Sequence, residues 1–362
     1  MAPIVRLLQQ TPGVEARVCV TAQHRHMLDQ VLKLFEIKPE YDLNLMRDGQ
    51  SLAQISASIF THLDPVLTHF QPDWVLVVGD TTTVVTTSQL AYYHRIKLGH
   101  VEAGLRTHNK WHPFPEEINR RIATVIADLH FAPTDWSKGN LLREGVEEQN
   151  ILVTGNPVID ALLFVVGQAE PPEITALIHK LGAREPESKR LVLVTAHRRE
   201  NFGQPLEDIC HAIRQLASRG DVEIVYPVHL NPRVQEPVNR ILKDQNHITL
   251  LGPLDYLPMV HLMKHSMLIL TDSGGLQEEA PSLGIPVLVL RETTERPEGV
   301  EAGTLRVVGT ETSAILREAE HLLSDSAAHS RMARAANPYG DGHAAERIVN
   351  ALLAAGNTPP AS

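Results

Sequence analysis

Short apolar runs alternate with amphipathic segments along most of the chain. Residues 75–78 are apolar at every position, as a parallel strand buried on both faces requires, whereas Leu206, Ile209 and Ile213 recur at a helical spacing. This alternation predicts an α/β protein built from right-handed βαβ units in doubly wound parallel sheets. The predicted strands cover residues 17–21, 74–78, 99–102, 129–132, 151–154, 191–195, 223–227, 248–251, 267–271, 286–290 and 305–308.

The predicted strands fall into two groups, separated by a segment with glycine and proline at residues 154–157. We therefore expect an N-terminal Rossmann-like domain over residues 1–155 and a C-terminal Rossmann-like domain over residues 156–342. A helix is expected over residues 343–355, and a polar tail over residues 356–362. Doubly wound domains bind ligands at the carboxyl ends of their strands, so we expect the ligand in a cleft between the two domains.

Charge and cysteine content narrow the class of protein. The 362 residues include 33 Lys and Arg against 43 Asp and Glu, and the resulting net charge of −10 disfavours nucleic acid and anionic membranes as partners. No apolar run reaches the roughly 20 residues needed to cross a bilayer. Only Cys19 and Cys210 occur, which excludes a disulfide framework and favours a reducing cytoplasm. These features predict a cytoplasmic protein.

The segment that follows predicted strand 267–271 suits a bound anion. Ser273, Gly274 and Gly275 would open a helix, where glycines let backbone N–H groups approach a ligand and the helix start favours negative charge. Glu278 and Glu279 follow, and their carboxylates would accept hydrogen bonds from the hydroxyls of a ribose. The alternative is an ordinary glycine turn. Because the pattern is not G-x-G-x-x-G, it disfavours a nicotinamide cofactor.

Carboxylates follow two predicted strands in the first half of the chain. Asp80 and Glu102 stand at strand ends, where this architecture places catalytic groups, although Asp80 could instead cap the next helix. Glu116 and Arg120 fall four residues apart on one face of a predicted helix. The alternative for this second pair is a surface ion pair worth about 0.5 kcal/mol.

Basic residues follow strands in the second half. His197 and Arg198 create local positive charge suited to phosphate, and Arg296 lies in another loop after a strand; each could also belong to a solvated loop. No His or Cys cluster has zinc spacing, and neither G-x-x-x-x-G-K-[ST] nor G-x-S-x-G occurs. The residues expected to converge on one cleft are Asp80, Glu102, Glu116, His197, Ser273 and Arg296.

Taken together, these motifs closely resemble the non-hydrolysing UDP-N-acetylglucosamine 2-epimerases. The resemblance implies a GT-B-like fold whose last helix crosses back to the first domain, a homodimer, and a reaction without nicotinamide or metal. It implies reversible conversion of UDP-GlcNAc to UDP-ManNAc, which supplies ManNAc for cell-surface polysaccharide. The matching segments are residues 21–25, 79–83, 100–107, 115–120, 154–160, 196–200, 227–232, 271–281, 293–298 and 337–342.

The same resemblance assigns roles to individual residues. In the family, loss of the C2 proton and departure of UDP give 2-acetamidoglucal, to which UDP re-adds after C2 is reprotonated on the other face. Bacterial members are activated by a second UDP-GlcNAc molecule. The matching catalytic residues are Asp80, Glu102, Glu116 and His197. The matching substrate-binding residues are Arg120, Ser273, Gly274, Gly275, Glu279 and Arg296, and the allosteric patch matches Gln23, His26 and Arg198.

The start of the sequence departs from the family pattern. Residues 1–10 read as a helix, whereas the family opens with a strand and a Gly-Thr-Arg-Pro-Glu-Ala-Ile-Lys turn before the Met-Ala-Pro that begins this sequence. We expect a misplaced start or a truncation, with the first strand and a catalytic arginine and lysine missing. The alternatives are therefore a GT-B-type glycosyltransferase, the branch that hydrolyses UDP-GlcNAc to ManNAc, and a catalytically impaired sugar-nucleotide-binding protein.

Overall fold

The computed structural model describes residues 1–22, 25–45, 47, 49–182 and 189–356, apart from the side chains of residues 26 and 27. The helices are α1 (Ala2–Gln10), α2 (Arg25–Leu34), α3 (Leu52–Phe70), α4 (Thr82–Tyr93), α5 (Glu116–Ile126), α6 (Asp135–Arg143), α7 (Pro157–Val166), α8 (Pro172–Lys180), α9 (Gln204–Ala217), α10 (Pro232–Leu242), α11 (Tyr256–Lys264), α12 (Gly274–Ser282), α13 (Pro297–Glu301), α14 (Thr312–Ser324), α15 (Ser326–Ala333) and α16 (Ala344–Gly356). The strands are β1 (Cys19–Val20), β2 (Tyr41–Asp42), β3 (Trp74–Val78), β4 (Lys97–Val101), β5 (Leu129–Ala132), β6 (Ile151–Val153), β7 (Arg190–Thr195), β8 (Val222–Pro227), β9 (Ile248–Leu251), β10 (Leu268–Thr271), β11 (Val287–Val289) and β12 (Leu305–Val307).

The chain divides into two units, whose boundaries differ from the predicted ones. Unit 1 comprises Met1–Ala161 and Tyr339–Ser362, and unit 2 comprises Leu162–Pro338. The predicted boundaries after residues 155 and 342 are therefore displaced. The first half of α7 stays with unit 1 because the Asp160 carboxylate accepts the backbone N–H groups of Ala344 and Ala345, at 3.2 and 2.8 Å.

Unit 1 contains a parallel sheet in the order β3-β4-β5-β6 and a separate parallel pair, β1-β2. Strand β4 ends at Val101, one residue before the predicted end, because Glu102 takes a left-handed φ of 62°. Strand β1 is shorter than the predicted strand over residues 17–21. Strand β2 was not predicted, because two residues of mixed polarity carry no periodic signal.

The C-terminal helix returns to unit 1, as predicted. Helix α16 packs on α1, and their side chains form one apolar cluster with the sheet through Ile4, Phe131, Ile348 and Leu352. Burial of such side chains is worth roughly 1.5–3 kcal/mol each. The last helix is thereby held against the N-terminal strands, which carry the carboxylates described below.

Unit 2 contains a parallel sheet in the order β12-β11-β10-β7-β8-β9. The chain order reverses between β7 and β10, the switch point at which doubly wound sheets bind ligands. These two strands end level with each other, since Thr195 pairs with Thr271 and their hydroxyl oxygens lie 2.6 Å apart. Both units thus confirm the predicted α/β class of parallel, Rossmann-like sheets. None of the helices within the described residues is long and apolar enough to span a membrane.

Candidate active site

In unit 1, two carboxylates stand at neighbouring strand ends. Asp80 follows β3 by two residues and Glu102 directly follows β4, and these strands pair in register at Val78 and Val101. Gly79 lies between the two carboxylates: a Cβ added there would lie 3.5 Å from Oε2 of Glu102. The sheet therefore brings together two groups that are far apart in sequence, as the strand-end argument predicts.

Asp80 is held by donors from three elements. The Arg120 guanidinium on α5 pairs with its carboxylate, and Asn119 Nδ2 donates to its backbone carbonyl at 2.9 Å. His100 Nε2 on β4 donates to the carbonyl of Gly79 at 2.8 Å. Burial lowers the pKa of His100 to about 4, so the ring is neutral near pH 7. This support fixes the turn that presents Asp80.

Arg120 is buried, so its interpretation as half of a surface ion pair is wrong. Among the described ion pairs it binds Asp80 and, at 3.2 Å, Glu117 rather than Glu116. The fully buried Glu117 carboxylate also accepts the N–H groups of Thr107 and His108, each at 3.1 Å. The sequence argument missed Glu117, because a second glutamate in a helical first turn looks like a solvated one. Glu116 begins α5 and is partly exposed.

In unit 2, Asp272 joins the loops that follow β7 and β10. It is fully buried at the end of β10, and its Oδ2 accepts the N–H groups of His197 and Arg198 at 2.8 and 2.7 Å. Asn201 Nδ2 donates to the same oxygen at 3.1 Å. The sequence places Asp272 beside the predicted anion site, but not its three donors, which lie more than 70 positions away.

Two guanidinium groups stand over the first residue of α12. A Cβ added to Gly274 would lie 3.5 Å from Nη2 of Arg296 and 3.6 Å from Nη2 of Arg198. Arg296 is oriented by Glu278, with Nε and Oε1 2.5 Å apart. The helix start and both guanidiniums make this point strongly positive, as a diphosphate requires. We call Ser273, Gly274, Arg198 and Arg296 the anion cradle.

The predicted site residues around the anion cradle differ in exposure. Ser273 is partly exposed at the N-cap of α12, Gly274 is buried and Gly275 is exposed. Arg198, which the resemblance assigns to the allosteric patch, stands in the cradle. Of the other two residues of that patch, Gln23 and the side chain of His26 lie outside the described residues.

Glu279 lies on the same helix, three residues into the next turn from Gln277, and is paired with a tyrosine. Tyr256 on α11 donates its hydroxyl to Oε1 of Glu279 at 2.5 Å. Burial, with a smaller contribution from Glu278, raises the pKa of Glu279 to about 7. Tyr256 was not predicted, since a single tyrosine 23 positions away has no motif that connects it with this carboxylate.

His197 is partly exposed beside the anion cradle. Its Nδ1 lies 3.7 Å from Oδ1 of Asp272, and its ring stacks on His229 with centroids 5.3 Å apart. Burial lowers the pKa of His197; Asp272 opposes this shift, and His229 and Arg198 add to it. Within the described residues, no group of three or more His, Cys, Asp and Glu side chains could hold a metal ion.

Comparisons with known proteins agree along nearly the whole chain. A family model described as UDP-N-acetylglucosamine 2-epimerase matches residues 6–353. The chain is 55% identical over 356 residues to UDP-N-acetylglucosamine 2-epimerase of Escherichia coli strain K12, covering 97% of this chain and 94% of that protein.

Two solved structures are similar in fold over the same extent. The crystal structure of UDP-GlcNAc 2-epimerase from Neisseria meningitidis bound to UDP-GlcNAc has a TM-score of 0.90 and 47% identity, covering 98% of this chain and 96% of that one. The structure of UDP-GlcNAc 2-epimerase from Methanocaldococcus jannaschii in complex with UDP-GlcNAc and UDP has a TM-score of 0.80 and 32% identity, covering 98% and 95%.

Proposed function

Since the chain belongs to the UDP-N-acetylglucosamine 2-epimerase family, we propose that it is an isomerase that interconverts UDP-GlcNAc and UDP-ManNAc. The observation that carries this proposal is the pair of carboxylates, Asp80 and Glu102, at adjacent strand ends. Inversion at C2 needs a base on one face of the sugar and an acid on the other. Glycosyl transfer, in contrast, leaves the C2 hydrogen in place.

Unit 2 supplies groups suited to the UDP part of the substrate. The anion cradle offers two guanidinium groups and a helix start to the diphosphate, whose negative charge grows as it leaves C1. Glu279, when ionised, accepts hydrogen bonds from the ribose hydroxyls, and Tyr256 orients it. His197 lies beside the cradle and is placed to donate to the departing phosphate.

The reaction balances without a further reactant. A carboxylate removes the proton at C2, the C1–O bond breaks, and its electron pair leaves with UDP, so that a C1–C2 double bond forms in 2-acetamidoglucal. A carboxylic acid then returns a proton to C2 on the opposite face, and UDP adds back at C1. We assign this acid–base work to Asp80, Glu102 and Glu116, with Arg120 orienting the carboxylate of Asp80.

We also propose that the protein forms a homodimer through unit 1. Tyr92 and Tyr93 at the end of α4 are 67% and 68% exposed, and Val125 on the packed neighbour α5 is 87% exposed. Exposed apolar side chains of this size mark interaction surfaces. Sedimentation of Tyr93→Glu should then report a monomer, whereas an unchanged mass would place the interface elsewhere.

The physiological setting follows from the same activity. We propose a cytoplasmic enzyme that supplies ManNAc for cell-surface polysaccharide and is activated by a second UDP-GlcNAc molecule near Arg198. The positive charge that Arg198 adds beside the cradle supports this binding.

Incubation with UDP-GlcNAc in deuterated water tests the reaction. We expect deuterium at C2 and a mixture with UDP-ManNAc. Saturable binding without exchange would indicate a binding protein, a requirement for an acceptor would indicate a glycosyltransferase, and irreversible release of UDP with free ManNAc would indicate hydrolysis. Each of these results would overturn the proposal.

The Asp80→Asn variant tests the assigned carboxylate. We expect exchange at C2 to fall by at least about 100-fold, the scale of positioned acid–base catalysis, while UDP binding in unit 2 is retained. Asp135→Asn, an exposed residue at the start of α6, is the matched control and should keep its activity. Full exchange in Asp80→Asn would remove Asp80 from the mechanism.

A further inference from the structure

One carboxylate oxygen beside the anion cradle lacks a partner. Oδ2 of Asp272 accepts three N–H groups, but Oδ1 is buried and has no hydrogen-bond partner among the described residues. Leaving a buried polar atom unpaired is unfavourable, and a carboxylate persists in such a place when a donor or cation faces it. The group that faces it is the imidazole of His197, with Nδ1 at 3.7 Å.

We propose that Asp272 is a positioning residue for His197, which it holds with the proton on Nδ1 so that Nε2 serves the departing diphosphate. The proposal rests on the proposed function for the identity of that ligand. A small rotation of the partly exposed ring brings Nδ1–H into hydrogen-bond range of Oδ1. When His197 is protonated, Nδ1–H donates to Asp272 and Nε2–H donates to the phosphate oxygen that leaves C1.

The charged neighbours of His197 make Asp272 necessary for this role. Arg198 on the same loop and His229 after β8 both disfavour the imidazolium, as does burial, and all three lower the pKa of His197. Asp272 at the end of β10 is the group that opposes them. A buried carboxylate paired with the far nitrogen of a histidine sets the tautomer and stabilises the positive ring in other enzymes too.

Asp272→Asn separates positioning from a merely structural role. The side-chain amide has the same shape, and its oxygen can still accept the N–H groups of His197 and Arg198, so the two loops stay joined. Its NH₂ group then faces Nδ1, which must become an acceptor, and the proton moves to Nε2. The variant therefore reverses the tautomer while the loops are retained.

The tautomer is measured by NMR of ¹⁵N-histidine-labelled full-length protein, with the His197 signals assigned from their loss in His197→Gln. We expect Nδ1–H in the wild type, and Nε2–H in Asp272→Asn with protonation at lower pH. The rate of C2 exchange should fall by about 10- to 100-fold, a typical loss for a supporting partner. The dissociation constant for UDP should change less, by under about threefold.

Asp325→Asn is the matched control, since Asp325 also accepts two backbone N–H groups in unit 2, those of Ala327 and Ala328. It should leave the tautomer and the exchange rate unchanged. Nε2–H in the wild type, or an unchanged tautomer in Asp272→Asn, would overturn the proposal. If Asp272→Asn does not fold, the wild-type tautomer decides. If the wild type shows Nδ1–H but no C2 exchange, the pairing stands and the proposed function fails.

Discussion

Replacing Glu279 by glutamine should stabilise the unliganded protein and weaken nucleotide binding. Glu279 is buried on α12 and accepts the Tyr256 hydroxyl. Burial raises its pKa from 4.5 to about 7. Glutamine fills the same volume, and its carbonyl oxygen can keep the hydrogen bond from Tyr256, but it carries no charge that burial disfavours.

The size of the gain follows from the pKa. Because the folded chain binds this proton more tightly than the unfolded chain, the free energy of unfolding falls as pH rises from 4.5 to about 7. A shift of about 2.5 pKa units corresponds to about 3 kcal/mol at 1.36 kcal/mol per unit. Above pH 7 the full penalty is present in the wild type and absent in Glu279→Gln. At pH 4.5 most of this difference disappears.

Urea unfolding of unliganded protein at pH 5 and pH 8 measures the difference. Glu279→Gln should exceed the wild type by up to about 3 kcal/mol at pH 8 and by much less at pH 5. The exposed Glu173→Gln on α8 controls for the change in net charge. An equal difference at both pH values would refute the argument, because a gain unrelated to ionisation does not depend on this proton.

Nucleotide binding should change in the opposite direction. Calorimetry with UDP-GlcNAc, in an Asp80→Asn background that prevents turnover, should show affinity rising with pH through about 7 as Glu279 ionises. The Gln variant should bind more weakly at pH 8 and lose this dependence. Equal affinity of the two proteins at pH 8 would show that the carboxylate does not hold the ribose.

Two further predictions concern the anion cradle and the buried histidines. Arg296→Lys should weaken UDP binding by about 10- to 100-fold, since it removes a charge-assisted hydrogen bond above Gly274, while the exposed Arg199→Lys should leave calorimetric affinity unchanged. Burial lowers the pKa of both His100 and His130 to about 4, so the unfolded chain binds more protons and the free energy of unfolding should fall as pH drops from 6.5 towards 4. His130→Phe should flatten this slope in urea titrations, and a slope equal to that of the wild type would contradict the assignment.

The sequence argument identified the site residues that stand directly at strand ends. Asp80, Glu102 and Ser273 follow apolar runs, and parallel strands bring such positions to one edge of a sheet whatever the side-chain detail. The strands β3, β5 and β9 match their predicted limits for a similar reason, because continuous apolar runs carry a strong signal. The domain boundary was less accurate, because α7 is apolar enough to fit either unit.

The partners of those residues could not be predicted. Glu117 is read as a solvated helical residue until its four donors are seen, and Tyr256 has no motif that relates it to Glu279. Partner choice depends on distances between elements that lie far apart in the chain. The same limitation applies to Arg120, whose charge fits Glu116 by spacing and Asp80 by position.

The sequence by itself determined the α/β class, the order of the strands along the chain and the chemistry available at their ends, because periodicity and motif spacing are local properties. Only the tertiary structure decided which charges meet: Arg198 and Arg296 over Gly274, Asp272 beneath His197, and Tyr256 on Glu279. The physical reason is that ionisation and orientation depend on burial and on neighbours within a few ångströms, and these are set when the sheets pack.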